Sequence, residues 1–362
     1  MVSTVADGAP SARMSDAANA CLETPLPATW GVSVVVCCHN AAERLPRTLR
    51  HLADQSVPPD IKWEVIVVDN ASTDRTATVA AGVWPSTHGV TLRVVRESEL
   101  GLSHARRRGC VEARYELVSF IDDDNWVARD WVETVERTMA AHPEVGVCGG
   151  RTEAALDTVP PPWFTKYQRH YACGDQWDSS GDVTWSRGHL WGAGMTLRKS
   201  AWFAVVDSGV ETRLADRCGA ALTSGGDEEL CYQMRAAGWR LWFEPRLFLH
   251  HYMPAGRLNW RYLRRLYRGF GNSRPLLDEY LRGTSRSHDP HRLLGLLRTF
   301  GKLGAILVRR PQLISSWEGE GDHLSLLWEA RLGRLETLCR GPARRETRDS
   351  SQAALATGVP PS

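Results

Sequence analysis

The sequence predicts an α/β protein with a mostly parallel central sheet flanked by helices. Three short runs, at 32–38 (VSVVVCC), 64–69 (EVIVVD) and 117–121 (LVSFI), have the length and apolar character of strands buried on both faces. Stretches with apolar residues at helical spacing separate these runs. Strands that alternate with helices in this way form largely parallel sheets.

The elements of the first half follow one another regularly. A leucine at every third or fourth position after the first strand predicts a helix over about 42–55. Strands are expected next at about 64–69, 91–95 and 117–121. The helices between them are expected at about 72–81 and 102–113.

The second half is less regular. A helix is expected at 227–237, closed by Gly238, and an apolar strand-like segment follows at 239–249. From Arg257 to Arg310 the chain carries 13 Arg and Lys but only 3 Asp and Glu, again at helical spacing. Four regions are predicted. Residues 1–30 are expected to form a disordered segment, and a catalytic domain follows in two halves, 31–150 and 151–255. Residues 256–340 are expected to form a basic helical region, and residues 341–362 a disordered tail.

The composition is that of a soluble globular protein, with 43% hydrophobic and 24% charged residues. Nine cysteines without zinc-ligand spacing, together with no apparent signal peptide or transmembrane segment, favour a reducing cytoplasm. The sequence has no GxGxxG after a strand and no GxxxxGK[ST], which disfavours a dinucleotide oxidoreductase and a P-loop NTPase. We expect no nucleic-acid partner.

Acidic residues stand at the ends of two predicted strands. Asp69 closes the second strand, and Asp122, Asp123 and Asp124 close the fourth. Ligands of open α/β sheets bind beyond the carboxyl ends of the strands, where clustered carboxylates cost free energy unless they are neutralised. Because Mg²⁺ and Mn²⁺ prefer oxygen ligands, we expect one of them at Asp122 and Asp124. The alternative is a solvated turn that leads into Asn125.

A second acidic cluster, Asp227, Glu228 and Glu229, stands at the start of the predicted helix 227–237. Acids in a first turn complement the helix dipole, which accounts for one or two of the three. The functional alternative is a general base that the helix N-terminus keeps ionised. Spacing alone leaves both interpretations open.

Three further signals are weaker. Arg106 begins a predicted helix on its inner side, which suits a contact with a diphosphate or a base. His250 and His251 end a strand-like segment, where alternation turns only one of them inward. Gly194 belongs to a Gly-Ala-Gly run, and such backbone can approach a ligand closely.

Taken together, these residues resemble the family 2 inverting glycosyltransferases with the GT-A fold. The resemblance covers about residues 32–255 and implies a GT-A-like single catalytic domain followed by a C-terminal helical region. It depends on the order and spacing of the motifs VSVVVCCHNAAERLPRTL, EVIVVDNASTDRT, ESELGLSHARRRGCVEA, FIDDDNWV, LWGAGMTLRK, SGGDEELCYQMRAAGW and FEPRLFLHHYMP.

The resemblance implies roles for the donor-binding residues. Asp69, with Asn40 and Arg106 nearby, would hold the nucleoside. Asp122 and Asp124 match the DXD motif, whose carboxylates bind the ribose and the metal on the diphosphate. The expected nucleotide-sugar-binding set is completed by Asp123 and Gly194.

The resemblance also implies the catalytic base and a histidine near the metal. Asp227 falls where the family has its usual base, but Gly226 replaces the preceding glutamate, so Asp227 and Glu228 remain alternatives. His251 matches a histidine found near the metal, and His250 is the alternative.

The function that follows is metal-dependent, inverting transfer of a sugar from a nucleotide sugar to a hydroxyl, in polysaccharide or glycolipid assembly. A UDP-sugar is the favoured donor, and a GDP- or dTDP-sugar is the alternative. We expect a glycan, lipid-linked or small-molecule acceptor that meets the aromatic segment 157–188. The alternatives are a nucleotidyltransferase acting on sugar phosphates and a non-catalytic nucleotide-sugar-binding protein.

The predicted helix at 292–310 has apolar residues on one side and Arg or Lys at intervals. Such a helix either packs on the catalytic domain or lies against an anionic membrane surface. The expected location is therefore the cytoplasm, with a peripheral contact at the inner face of the membrane as the second possibility.

Overall fold

The computed structural model describes residues 29–85, 89–210, 212–214, 222, 224–282, 291–314 and 319–340. The two segments predicted to be disordered, 1–30 and 341–362, lie outside these ranges except for residues 29 and 30.

The strands alternate with helices as the sequence predicts. The strands of the described residues are β1 (Val32–Cys38), β2 (Trp63–Asn70), β3 (Leu92–Glu97), β4 (Leu117–Asp122), β5 (Asn125–Val127), β6 (Val145–Leu156), β7 (Gly181–Asp182), β8 (Thr196–Arg198) and β9 (Arg240–Met253). The α-helices are α1 (Leu45–Ala53), α2 (Thr76–Val83), α3 (Leu102–Glu112), α4 (Trp131–Ala141), α5 (Phe164–Tyr167), α6 (Lys199–Asp207), α7 (Gly226–Ala236), α8 (Trp260–Arg282), α9 (His291–Arg309) and α10 (His323–Arg340).

All these strands join one sheet, in the order β3-β2-β1-β4-β8-β6-β9-β5, with β7 beside β9. The first four strands are parallel to one another, and so are β6 and β9. The short strand β8 runs antiparallel between β4 and β6, and the short strands β5 and β7 run antiparallel to β9. The predicted α/β class is confirmed. Its parallel part is concentrated in the first half, where β1, β2 and β3 are each followed by a helix and β4 is followed by the short strand β5.

Two apolar cores lie on opposite faces of this sheet. Val34 and Val36 of β1 face the core that α1 and α4 cover, whereas Val35 faces the core covered by α3, α6 and α7. Successive side chains of a strand point to opposite faces, so a strand covered by helices on both sides must be apolar at every position. The run VSVVVCC meets this requirement except at Ser33, whose buried hydroxyl donates a hydrogen bond to Glu64.

The C-terminal helices are packed tightly against each other and against the catalytic part. A Cβ atom at Gly271 of α8 would overlap the carbonyl oxygen of Ala330 in α10, so the two helix backbones touch there. Ser273 of α8 donates a hydrogen bond to the carbonyl oxygen of Ser224, just before α7. The helices after residue 256 therefore adjoin the second acidic cluster.

Candidate active site

A cavity of about 560 Å³ opens at the carboxyl ends of β1, β2 and β4. This is the edge where an open α/β sheet binds its ligands, because the loops that follow parallel strands meet there. The predicted site residues that line the cavity are Arg106, Asp122, Asp123, Asp124, Asp227, Glu228 and His251. Of the other predicted residues, Asn40, Asp69, Gly194 and His250 are not among the lining residues.

Asp123 is held by an arginine that precedes α1. Its oxygens accept hydrogen bonds from Nε and Nη2 of Arg44 at 3.1 and 2.9 Å, and its carbonyl oxygen accepts one from Thr48. Burial and the neighbouring Asp124 raise the pKa of Asp123 to about 6, against the opposing effect of Arg44. Asp123 thus fixes the acidic turn to α1 while its edge faces the cavity.

Asp124 is buried beside two cationic groups. Its Oδ2 lies 3.0 Å from Nη1 of Arg257, and its Oδ1 lies 3.5 Å from Nε2 of His251. Burial alone would lower the pKa of His251, but the Asp124 carboxylate raises it to about 10. The Asp124 carboxylate therefore favours the charged form of His251 in this arrangement.

The side chain of Asn125 organises the acidic turn. Its Oδ1 accepts a hydrogen bond from the backbone amide of Asp122 at 3.2 Å, and its Nδ2 donates one to Asp124 at 3.2 Å. A turn into Asn125 is thus present, but Asp123, Asp124 and Asn125 are buried, so it is not the solvated turn of the alternative interpretation.

The acidic turn suits a metal that is shared with a substrate. Among the described residues, no group of three or more His, Cys, Asp or Glu side chains is arranged to hold an ion by itself. Asp122 and Asp124 nevertheless supply carboxylate oxygens to one cavity wall. Mg²⁺ and Mn²⁺ are commonly held by one or two carboxylates, with phosphate oxygens and water completing the shell. The residues fit such an ion, and His251 as a ligand stays a prediction.

The second acidic cluster divides into two cavity residues and one structural residue. Asp227 accepts hydrogen bonds from the backbone amides of Gly192 at 2.8 Å and of Glu228 at 3.1 Å. Burial and the neighbouring Asp227 raise the pKa of Glu228 to about 7. Glu229 is fully buried and accepts hydrogen bonds from the backbone amide of Leu214 and from the hydroxyl of Tyr280. Glu229 therefore has a structural role in holding α7 in place, whereas Asp227 and Glu228 face the cavity.

The structure brings the predicted donor residues together only in part. Asn40 accepts a hydrogen bond from the backbone amide of Thr73 at 2.8 Å and thereby joins the loops after β1 and β2. Asp69 has one buried carboxylate oxygen with no hydrogen-bond partner within the described chain. Gly194 is packed beneath the cavity, where a Cβ atom would lie 2.6 Å from Leu249 and 2.7 Å from Trp131.

Several cavity residues were not found from the sequence. Asn70 accepts a hydrogen bond from the backbone amide of Gly101 and so ties the end of β2 to the start of α3. Helix α8 contributes a mainly apolar wall, made by Leu266, Phe270, Ser273, Arg274 and Leu277. The arginine-rich spacing of α8 marks it as a helix but does not indicate that it packs on the site.

The chain is similar to several known proteins. Residues 33–191 match the family model described as Glycosyl transferase family 2. The succinoglycan biosynthesis protein ExoM of Rhizobium meliloti is 25% identical over 261 residues, which cover 69% of this chain and 77% of ExoM. EpsH of Bacillus subtilis is 26% identical over 132 residues, and the match spans only 36% of either chain.

Among solved structures, the fold is similar to that of Staphylococcus aureus TarS. The TM-score is 0.46 at 15% identity, over 85% of this chain and 54% of that one. The chain carries, at residues 33–191, a domain of glycosyl transferase family 2.

Proposed function

We propose that the chain is an inverting glycosyltransferase that moves a sugar from a nucleotide sugar to a hydroxyl group of an acceptor. The observation that carries this proposal is that both acidic pairs, Asp122 with Asp124 and Asp227 with Glu228, line the same cavity. One acidic pair suits a metal-bound diphosphate, and the other supplies a base for the attacking hydroxyl.

Asp227 is the preferred base. The backbone amides of Gly192 and Glu228 each donate to one of its oxygens, which orients the carboxylate. A base in this position would take the proton of the acceptor hydroxyl as its oxygen attacks the anomeric carbon. Such a single displacement inverts the configuration. Glu228, whose pKa of about 7 also suits proton transfer, is the alternative base.

The acidic turn and its neighbours form the donor side of the proposal. Asp122 and Asp124 would hold Mn²⁺ or Mg²⁺, and a bound ion would offset the negative charge that develops on the leaving diphosphate. Arg106 lines the same cavity and would meet a phosphate. Asp69 precedes the cavity residue Asn70 at the end of β2 and would hold the base or ribose of the nucleotide.

The substrates are proposed on chemical grounds and from a relative. A UDP-sugar is the favoured donor, with GDP- and dTDP-sugars as the other candidates. ExoM is named for succinoglycan biosynthesis, which supports a glycan or lipid-linked acceptor in polysaccharide or glycolipid assembly. We place this activity in the cytoplasm. None of the described helices is both long and apolar enough to cross a membrane.

The test is nucleotide release from UDP-, GDP- and dTDP-sugars by the full chain, with Mn²⁺, Mg²⁺ or a chelator. The variants are Asp124→Asn and Asp227→Asn, and the matched control is Asp60→Asn, because the side chain of Asp60 is 66% exposed on the surface. Slow release of one nucleotide is expected, dependent on metal and on Asp124. Loss of a transition-state charge contact of this kind costs about 100-fold or more in kcat.

The role of the base has to be tested with a true acceptor, because hydrolysis by water depends only weakly on the base. With an acceptor, Asp227→Asn should lower kcat by about 100-fold or more while donor binding is retained. If Glu228→Gln has this effect instead, the two roles are exchanged. If the folded wild-type chain binds none of these donors, the proposed function is wrong and a non-catalytic role becomes the better hypothesis.

A further inference from the structure

Helix α9 carries an apolar stripe that faces away from the protein. Leu293, Leu297, Phe300 and Val308 are 67%, 62%, 55% and 86% exposed. At 100° per residue these four positions fall within an arc of roughly 80° on the helix. Isolated exposed apolar residues are common on protein surfaces, but a continuous stripe of large ones marks an interaction site.

The opposite face of α9 is the one that packs on the protein. Thr299, Leu303 and Ile306 are buried, and Gly295 lies against Leu338 of α10. The helix is therefore held in place by its own packed face. The exposed stripe remains available for a partner.

The charges of α9 have one sign. Arg298, Lys302 and Arg309 are exposed, and they lie between the apolar stripe and the packed face. The helix contains no Asp or Glu. Within the described chain these three side chains form no ion pair, in contrast to Arg310, whose Nε lies 3.7 Å from Asp322. A protein partner would bind these three cations with acidic side chains, and an anionic lipid surface would bind them with phosphate groups.

We propose that α9 docks the enzyme on an anionic membrane surface. Large apolar side chains on one face and unpaired cations along its border are the features of a helix that lies in the headgroup region. Each Lys or Arg near an anionic surface contributes about 1 kcal/mol to binding. This inference goes beyond the proposed function, because it concerns a surface of the C-terminal region and not the catalytic cavity.

The test is co-sedimentation of the full chain with vesicles of phosphatidylcholine alone and of phosphatidylcholine mixed with phosphatidylglycerol. The wild type should bind the anionic vesicles, and binding should weaken as the salt concentration rises from about 0.1 to 1 M. The variant Arg298→Gln/Lys302→Gln/Arg309→Gln should bind roughly a hundredfold more weakly, because three such charges are lost.

The apolar stripe is tested separately from the charges. The variant Leu297→Gln/Phe300→Gln should lose most of the vesicle binding, whereas Val111→Gln should not, because Val111 is 56% exposed on α3, away from α9. Circular dichroism and the unfolding midpoint should be unchanged in both, since the replaced side chains face solvent.

Two outcomes would overturn the proposal. One is a folded wild type that binds neutral and anionic vesicles equally poorly. The other is a wild type that dimerises without lipid and becomes monomeric with Leu297→Gln/Phe300→Gln, which would assign the stripe to a second copy of the chain. Nucleotide release without an acceptor should be the same in all α9 variants, so this test fails or succeeds independently of the catalytic proposal.

Discussion

Replacing Glu329 by glutamine is expected to destabilise the packing of α8 against α10. Oε1 of Glu329 accepts hydrogen bonds from Nε and Nη2 of Arg264 at 3.2 and 2.7 Å, and Oε2 lies 3.0 Å from Nη1 of Arg268. Arg264 and Glu329 are each only 3% exposed. Removal of one charge from a buried pair costs about 3–5 kcal/mol, and a glutamine that keeps one hydrogen bond should place the loss near 3 kcal/mol.

The assay is urea unfolding followed by tryptophan fluorescence, with Asp60→Asn as the matched control. Asp60 pairs with Arg137 at 3.5 Å, and their side chains are 66% and 52% exposed. An exposed pair of this kind contributes about 1 kcal/mol or less. The free energy of unfolding should therefore fall by about 3 kcal/mol in Glu329→Gln and by less than about 1 kcal/mol in the control.

A second variant separates charge burial from packing. Arg264→Met/Glu329→Leu replaces the pair with apolar side chains, and such a replacement is often neutral within about 1 kcal/mol, or stabilising. Equal losses in Glu329→Gln and the exposed control would refute the argument. So would a double variant as unstable as the single one, because the loss would then come from packing and not from an uncompensated charge.

The other two predictions concern residues at and beneath the cavity. Gly194→Ala should cost more stability than Gly209→Ala: both glycines have positive φ, +72° and +76°, but only Gly194 has neighbours within 4 Å of an added Cβ. In both variants the backbone strain should lower the free energy of unfolding by about 1 kcal/mol, and overpacking should lower it by about 1–3 kcal/mol more in Gly194→Ala alone. Equal losses for the two variants in urea unfolding would contradict the close packing around Gly194. Glu228→Gln should change how stability depends on pH. The pKa of Glu228 is raised from 4.5 to about 7 in the folded state, so the wild type should lose stability relative to the variant as pH rises from 4.5 to 7, by at most about 1.4 kcal/mol per pH unit. Parallel stability curves would rule out the raised pKa.

The sequence predicted well where local pattern and physical requirement coincide. Six of the seven residues of Val32–Cys38 are apolar because both faces of β1 are covered, so composition alone identifies the run as a buried strand. Asp122 ends β4 and Asp124 follows it, and the direction of the strand places both at the edge of the sheet where the cavity opens. The predicted helix at 227–237 is observed as α7, whose end coincides with Gly238 within two residues.

The partners of the site residues could not be predicted in this way. Arg44 is far along the chain from Asp123, and Arg257 from Asp124, yet each pair is within 3.1 Å. The local sequence around an arginine does not indicate which distant carboxylate that arginine will contact. Gly194 shows the same limit, since its role depends on a contact with Trp131 that only the folded chain creates.

The sequence by itself determined the α/β class, the edge of the sheet at which the cavity opens and the acidic residues that reach it, because strand period, strand direction and helix signals act within a few residues. Only the tertiary structure decided which cations neutralise those acids, that α8 closes one wall of the cavity, and that the apolar stripe of α9 faces outward. These are contacts between segments distant in the chain, and their free energies depend on burial and distance, which no local pattern contains.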